Sequence, residues 1–339
     1  MHLQRVSAPG HSLAVLVLRR RGGAVARFWL VLTLTFSLLH LAPGDPAALL
    51  VPPDATAEQT ARVRAELGLD RPVPVQYARW LGGVLRGDLG SSFAQRRPVS
   101  ALLREAVPVS AWLGGTSLLL TFLIGVPVGM LQAARRGRPL DHALTVLTTA
   151  AYAAPTFWIA LALVAVFTYG ASSWGLPAAL RLPAFGVRSP AGGLSGLAGV
   201  VDLVRHAVLP VGILSAVGAA GIARYARSSV ADVLDQDFVR TARAKGLPTR
   251  AVYFRHVLRA VLPPLAVLFA LALPGVIAGS VFVESVFAWP GAGRLLLGAI
   301  TARDFPVVMG ATVVYAALVI VANLAAELAL PLLDPRRRA

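Results

Sequence analysis

The side chains that could carry acid–base or metal chemistry are few in this 339-residue sequence: six histidines, sixteen acids and no cysteine. His2, His11, His40, His142, His206 and His256 are scattered without metal-ligand spacing, and the missing cysteines remove thiolate sites and disulfides alike. No GxxxxGK[ST] phosphate loop occurs, so the chain does not bind ATP in the P-loop manner. There is also no HExxH, no carboxylate pair within one helix and no serine triad. The sequence therefore offers no catalytic, cofactor-binding or metal-binding candidates. Two acids, Glu284 and Glu327, fall near the interiors of apolar runs. Buried acids of that kind could serve an ion-coupled carrier. A packing acid bonded to an arginine or to backbone is the plainer expectation for both.

What remains is chemistry of contact, concentrated in Asp237–Pro264, DFVRTARAKGLPTRAVYFRHVLRAVLPP. Asp237 is placed to cap a helix and Gly246 to end it, so two turns are predicted over Phe238–Lys245. A second helix is predicted over Arg250–Val261, with Val252, Tyr253, His256, Val257 and Ala260 on one face. Pro263 and Pro264 then mark the start of the next apolar run. This basic helix–turn–helix could rest on anionic headgroups, or it could be a docking surface for another protein. In the second case Ala242 is small enough to seat in a groove, Arg243 and Lys245 can meet carboxylates, and Gly246 lets the backbone turn without a Cβ clash.

Composition decides what surrounds this segment. The chain is 56% hydrophobic and 14% charged, with mean hydropathy +0.69, which a soluble protein of this size could not tolerate on its surface. The fold class expected is all-α, a polytopic membrane protein with six crossings and a polar insertion after the first. A net charge of +16 would suggest nucleic acid in a soluble chain, but here the arginines cluster at the ends of apolar runs and set topology instead.

In order, residues 1–23 are a basic lead and 24–42 the first crossing, with Arg27 near enough to its start to snorkel. No small-residue cleavage pattern follows, so an uncleaved helix is expected rather than a signal peptide. Residues 43–106 are a polar helical loop on the outer side. Thr56 and Gln59 form a capping box there, and helices are expected over Ala57–Leu67 and Val75–Leu85. The loop could be a solvated cap or a contact for a substrate-delivery protein. Residues 107–333 hold the remaining crossings, about 107–131, 142–169 (kinked at Pro155), 206–222, 265–287 and 307–330. The inner segment 224–262 contains the docking candidate. Leu180–Val187 reads as a surface turn, Pro274, Gly275 and Gly279 as close helix packing, and 334–339 as an inner tail. The inner segments of this topology, both termini and the snorkelling Arg27 included, hold nineteen of thirty-two basic residues but five of sixteen acids, the sign the positive-inside bias requires.

Motifs in three separated regions resemble one family. RTARAKG (Arg240–Gly246), followed sixteen residues after its glycine by Leu262-Pro263, resembles the "EAA" loop in membrane subunits of bacterial ABC importers, with Arg240 where the name-giving Glu would be. His40-Leu41-Ala42-Pro43-Gly44-Asp45-Pro46 is similar to the HLAPGDP signature of the dipeptide/oligopeptide permease branch. Glu284 to Arg294 resembles its E-x-V-F-x-W-P-G-x-G-R element, and Asp304-Phe305-Pro306 its D-[YF]-P. The resemblance runs from about Leu13 to Arg338. It implies a permease subunit of the bacterial cytoplasmic membrane, partnered by a sister permease, two ATP-binding ATPases and an extracytoplasmic binding protein. It implies peptide import or, as in some relatives, import of nickel chelates or glutathione. Asp237, Arg240, Thr241, Ala242, Arg243, Lys245 and Gly246 would couple to the ATPases. Glu284, Trp289, Pro290, Gly291 and Gly293 would form an outer-face turn or gate, for which Trp289 suits the membrane interface. The rival class is an ion-coupled secondary transporter, which would work without ATPases.

Overall fold

The computed structural model describes residues 13–41, 45, 47, 50–52, 54–189, 195–278 and 280–333. The Glu327 side chain, Gly279, residues 42–44, Pro46 and the tail 334–339 lie outside the described residues. Those that are described are nearly all helical, with a single isolated bridge, Ser91 to Pro98, and no strand.

Helix α1 spans Leu13–Leu41. α2 (Ala57–Glu66) opens on the expected Thr56–Gln59 capping box, and α3 (Val73–Leu85) follows Pro72. Beyond them α4 runs Val99–Ala134, two turns earlier than predicted, because Pro98 supplies its start and Pro108 is accommodated inside it. α5 (Pro139–Ala153) and α6 (Thr156–Val164, extended by a π turn Ala165–Gly170) replace the single kinked crossing expected over 142–169. They meet at 99°. The residue before a proline is pushed out of helical space, and Ala154 is accordingly extended (ψ 135°), so Pro155 breaks the helix rather than bending it.

The segment Leu180–Val187 turns at the surface, with Leu180 and Phe185 exposed, but is also tied to the core. Ala184 is buried, Leu182 and Val187 pack on the core, and Gly186 N–H bonds Phe287 O at 2.9 Å. α7 (Gly196–Leu234) extends three turns past the predicted end at Ile222. α8 (Asp237–Ala244) is the predicted two-turn helix. α9 then enters through Thr249–Ala251, passes a π turn Val252–Val257 and continues as Leu258–Ala278. Pro263 and Pro264 lie inside it and mark no boundary. The predicted crossing 265–287 therefore starts earlier and ends at Ala278, and Val281–Val286 is a separate short helix, α10. α11 (Ala292–Thr301) and α12 (Phe305–Leu333) complete the chain.

α4, α7, α9 and α12 are long and apolar enough to cross a membrane, the bent α5–α6 pair would make a fifth, and Val25–Leu41 is a shorter apolar helix. α4 and α7 form the central pair. A Cβ on Gly125 would lie 2.8 Å from Ala219 O, and one on Gly129 would overlap Ala223 O, so the two backbones touch. Small residues four apart give lipid-embedded helices this close approach.

Candidate functional site

α8 is held by one face and displays the other. Val239 and Ala242, three apart, are buried among Val230 and Val233 of α7, Val252, Val257, Val261 and Leu265 of α9, and Met130 of α4. Ala242 is 4% exposed and faces the protein's own interior, so its small side chain seats α8 on the fold rather than in an outside groove. Asp237 is not the cap either. Gln236 holds that position without a side-chain bond, and Asp237 stands in the first turn, where its charge suits the helix N-terminus. Arg240, Thr241, Arg243 and Lys245 are exposed. Arg240 reaches Asp237 only at 3.4 Å, and Thr241 hydroxyl donates to Asp237 O at 2.9 Å. At the far end Gly246 adopts φ +74°, its N–H bonds Arg243 O at 2.9 Å, and Leu247 N–H approaches Ala242 O at 3.4 Å. This is the double closure that favours glycine after a helix.

The face predicted for 250–261 holds through Val257 and then shifts by one. Val261 is buried and Ala260 exposed, because the π turn inserts a residue and spaces the buried positions 252, 257, 261 and 265.

The second site is the fold-back formed by α10 and α11. The Glu284 carboxylate is fully buried and accepts from Ser110 Oγ (2.7 Å) and Ser280 N–H (3.2 Å) on Oε1, and from Arg294 N–H (3.0 Å) on Oε2. Ser110 Oγ in turn accepts from Ala292 N–H at 2.8 Å. Glu284 and Ser110 thus satisfy open donors in the first turn of α11, where a negative charge is favoured. The glycines follow from this closeness. A Cβ on Gly291 would collide with Glu284 and Ser110, and one on Gly293 would come within 3.0 Å of Val281 Cα. Trp289, expected at the interface, is instead fully buried and stacks on Trp112 with centroids 5.7 Å apart. Its backbone N–H bonds Glu284 O at 2.8 Å, which draws the indole inward.

Asp304, 2% exposed, performs a similar task for the segment before α4. It accepts from Ser92 Oγ (2.5 Å), Phe93 N–H (3.0 Å) and Ala94 N–H (3.2 Å). The sequence singled out Asp304 but not its partners, which lie 210–212 positions away. His40 is structural, bonded to Phe36 O at 2.9 Å and Gln76 Oε1 at 3.1 Å and stacked on Phe36. Two features went unread in the sequence. The Gly125-x-x-x-Gly129 spacing was legible, whereas the Asp141–Arg227 ion pair carries no local signal.

Long apolar helices with a short amphipathic helix between two of them make this a polytopic α-helical protein of the membrane class. Residues 13–114 match the N-terminal part, and 125–339 the body, of the family described as binding-protein-dependent transport system inner membrane component. The chain belongs to that family and is a permease subunit of an ABC importer. It is 35% identical over 325 residues to the oligopeptide transport system permease protein AppB of Bacillus subtilis (96% of this chain, 99% of the relative). It is 33% identical over 335 residues to the dipeptide transport system permease protein DppB of Escherichia coli K12 (95% and 98%). Among solved structures, the inward-facing MetNI methionine ABC transporter superposes with a TM-score of 0.50 at 16% identity, covering 69% of this chain and 97% of that one, a likeness of fold.

Proposed function

We propose that this subunit moves peptides across the bacterial cytoplasmic membrane, and that α8 is where separate ATPases deliver the work. Relatives named for oligopeptide, dipeptide and glutathione transport support the substrate class, with nickel chelates a further possibility within it. The observation that carries the coupling role is the split character of α8: Val239 and Ala242 anchor it, while Arg240, Thr241, Arg243 and Lys245 are exposed with Asp237 beside them. A push on that outer face is passed through apolar contacts into α4, α7 and α9 at once. The partners are a sister permease, two ATPases and an extracytoplasmic binding protein. The chain crosses six times with both termini inside, α1 and the α5–α6 pair supplying the crossings beyond the four long helices.

The α10–α11 fold-back, with Glu284, Trp289, Pro290, Gly291 and Gly293, is the outer gate element in this arrangement. An ion-coupled carrier is not favoured: among the described residues the buried carboxylates Asp141, Glu284 and Asp304 are all committed to internal hydrogen bonds. Co-purification tests the proposal. The protein should bring down P-loop ATPases, and replacing Gly246 by a bulky residue should separate ATP hydrolysis from uptake while membrane insertion persists. Uptake driven in liposomes by an ion gradient, without ATPases, would overturn it.

A further inference from the structure

α5 is a helix with almost no apolar anchorage. Its only buried side chains are Asp141 and Thr148, while Leu140, Val146, Leu147 and Tyr152 are exposed. Arginines from one neighbour hold it instead. Arg227 of α7 meets Asp141 as a fork, Nε to Oδ1 at 2.9 Å and Nη2 to Oδ2 at 2.8 Å, and the carboxylate is 2% exposed. Gly137 N–H adds a bond to Oδ2 at 3.1 Å, made possible by its φ of +76° in the α4–α5 turn. Thr145 approaches Oδ1 at 3.4 Å and receives the Gln132 amide of α4 at 3.2 Å. One turn back on α7, Arg224 lies over the Tyr152 ring, 3.9 Å from its centroid, at the other end of α5. Directly beyond Tyr152 comes the 99° break into α6.

The same stretch of α7 carries Ala226, Val230 and Val233, which seat α8. We infer that the Asp141–Arg227 pair is the strap by which movement of α8 and α7 is passed to α5, and so to the break at Ala154–Pro155. A bidentate charge pair fixes direction as well as distance, whereas the sparse contacts around Thr148 would let α5 slip. Asp141 and Arg227 are positioning residues for transport, and this role rests on the docking reading of α8.

The chain has no cysteine, so Val146→Cys with Trp158→Cys, assembled with partner subunits stripped of cysteine, gives a unique label pair on exposed positions either side of the break. In the assembled transporter, spin-label distances are compared without nucleotide and after trapping with ATP and vanadate. The parent pair should shift by at least about 2 Å, the scale of helix displacements in such switches. Asp141→Asn should reduce the shift to less than half while the ATPases still co-purify and trap nucleotide. Arg227→Lys, which keeps the charge and loses the fork, should fall between. In uptake the same strap appears as a fall of about tenfold in substrate moved per ATP for Asp141→Asn. An unaltered shift in Asp141→Asn, or no shift in the parent with ATPases bound, overturns the strap. Should Asp141→Asn fail to assemble, Arg227→Lys decides by the same distance. Loss of nucleotide trapping because no ATPase is captured by the parent subunit would instead overturn the docking reading.

Discussion

The α8 segment and the α10–α11 fold-back are both short helical detours between long helices, yet opposite forces hold them. α8 rests on a row of valines and one alanine, and its side-chain hydrogen bonds are local to the helix, Thr241 to Asp237 and Arg240 to Asp237. The fold-back is pinned by directional bonds over long sequence distances, from Glu284 to Ser110 and from Ser110 to Ala292, with Asp304 doing the same for residues 92–94. Apolar contact is nearly indifferent to small sliding and rotation, while a buried carboxylate bonded to several donors has one geometry. One detour rests on a seat that tolerates adjustment, and the other is fixed in a single geometry.

The contrast breaks most readily at Glu284. Glu284→Ala would leave the N–H groups of Ser280 and Arg294 without partners in a buried site and should cost about 3–5 kcal/mol, read as a fall in melting temperature of the purified complex. Glu284→Gln should not restore it, since the amide nitrogen cannot accept from a donor now served by carboxylate. A loss below about 1 kcal/mol would mean the fold-back is not pinned by this residue. Asp304→Asn removes one acceptor and should cost about 2 kcal/mol, with faster hydrogen exchange confined to residues 92–95.

At α8 the effects on stability shrink and those on coupling grow. Gly246→Ala meets no atom within 4 Å but must hold φ +74°, so about 1 kcal/mol of backbone strain is expected. Circular dichroism should stay unchanged while uptake per ATP falls. Arg243→Ala should change stability by less than about 0.5 kcal/mol, yet weaken capture of ATPases by about tenfold at low salt and less at high salt. Equal loss of stability at Arg243 and Glu284 would erase the distinction between the two detours.

How much of this could be read beforehand depended on range. α8 was legible almost to the residue because its signals are local: a polar start, apolar residues three apart and a glycine stop within ten positions. The capping box of α2 was legible for the same reason. The burial of Trp289 was not, since an indole beside Pro-Gly looks interfacial until Trp112, far back in α4, is found stacked on it. The exposure of Ala260 required knowing that α9 contains a π turn, which no residue type announces. The break at Pro155 was half read. A proline signals a bend, but its angle is set by whether the preceding residue leaves helical space.

The touching backbones of α4 and α7 have a mechanical consequence. With Gly125 and Gly129 against the carbonyls of Ala219 and Ala223, and Ile222 and Ala226 pressed close beside them, the seam has no slack to compress. The two helices behave as one spar, and flexure is left to the joints around it, Ala154–Pro155 and the wide turn ahead of Leu258.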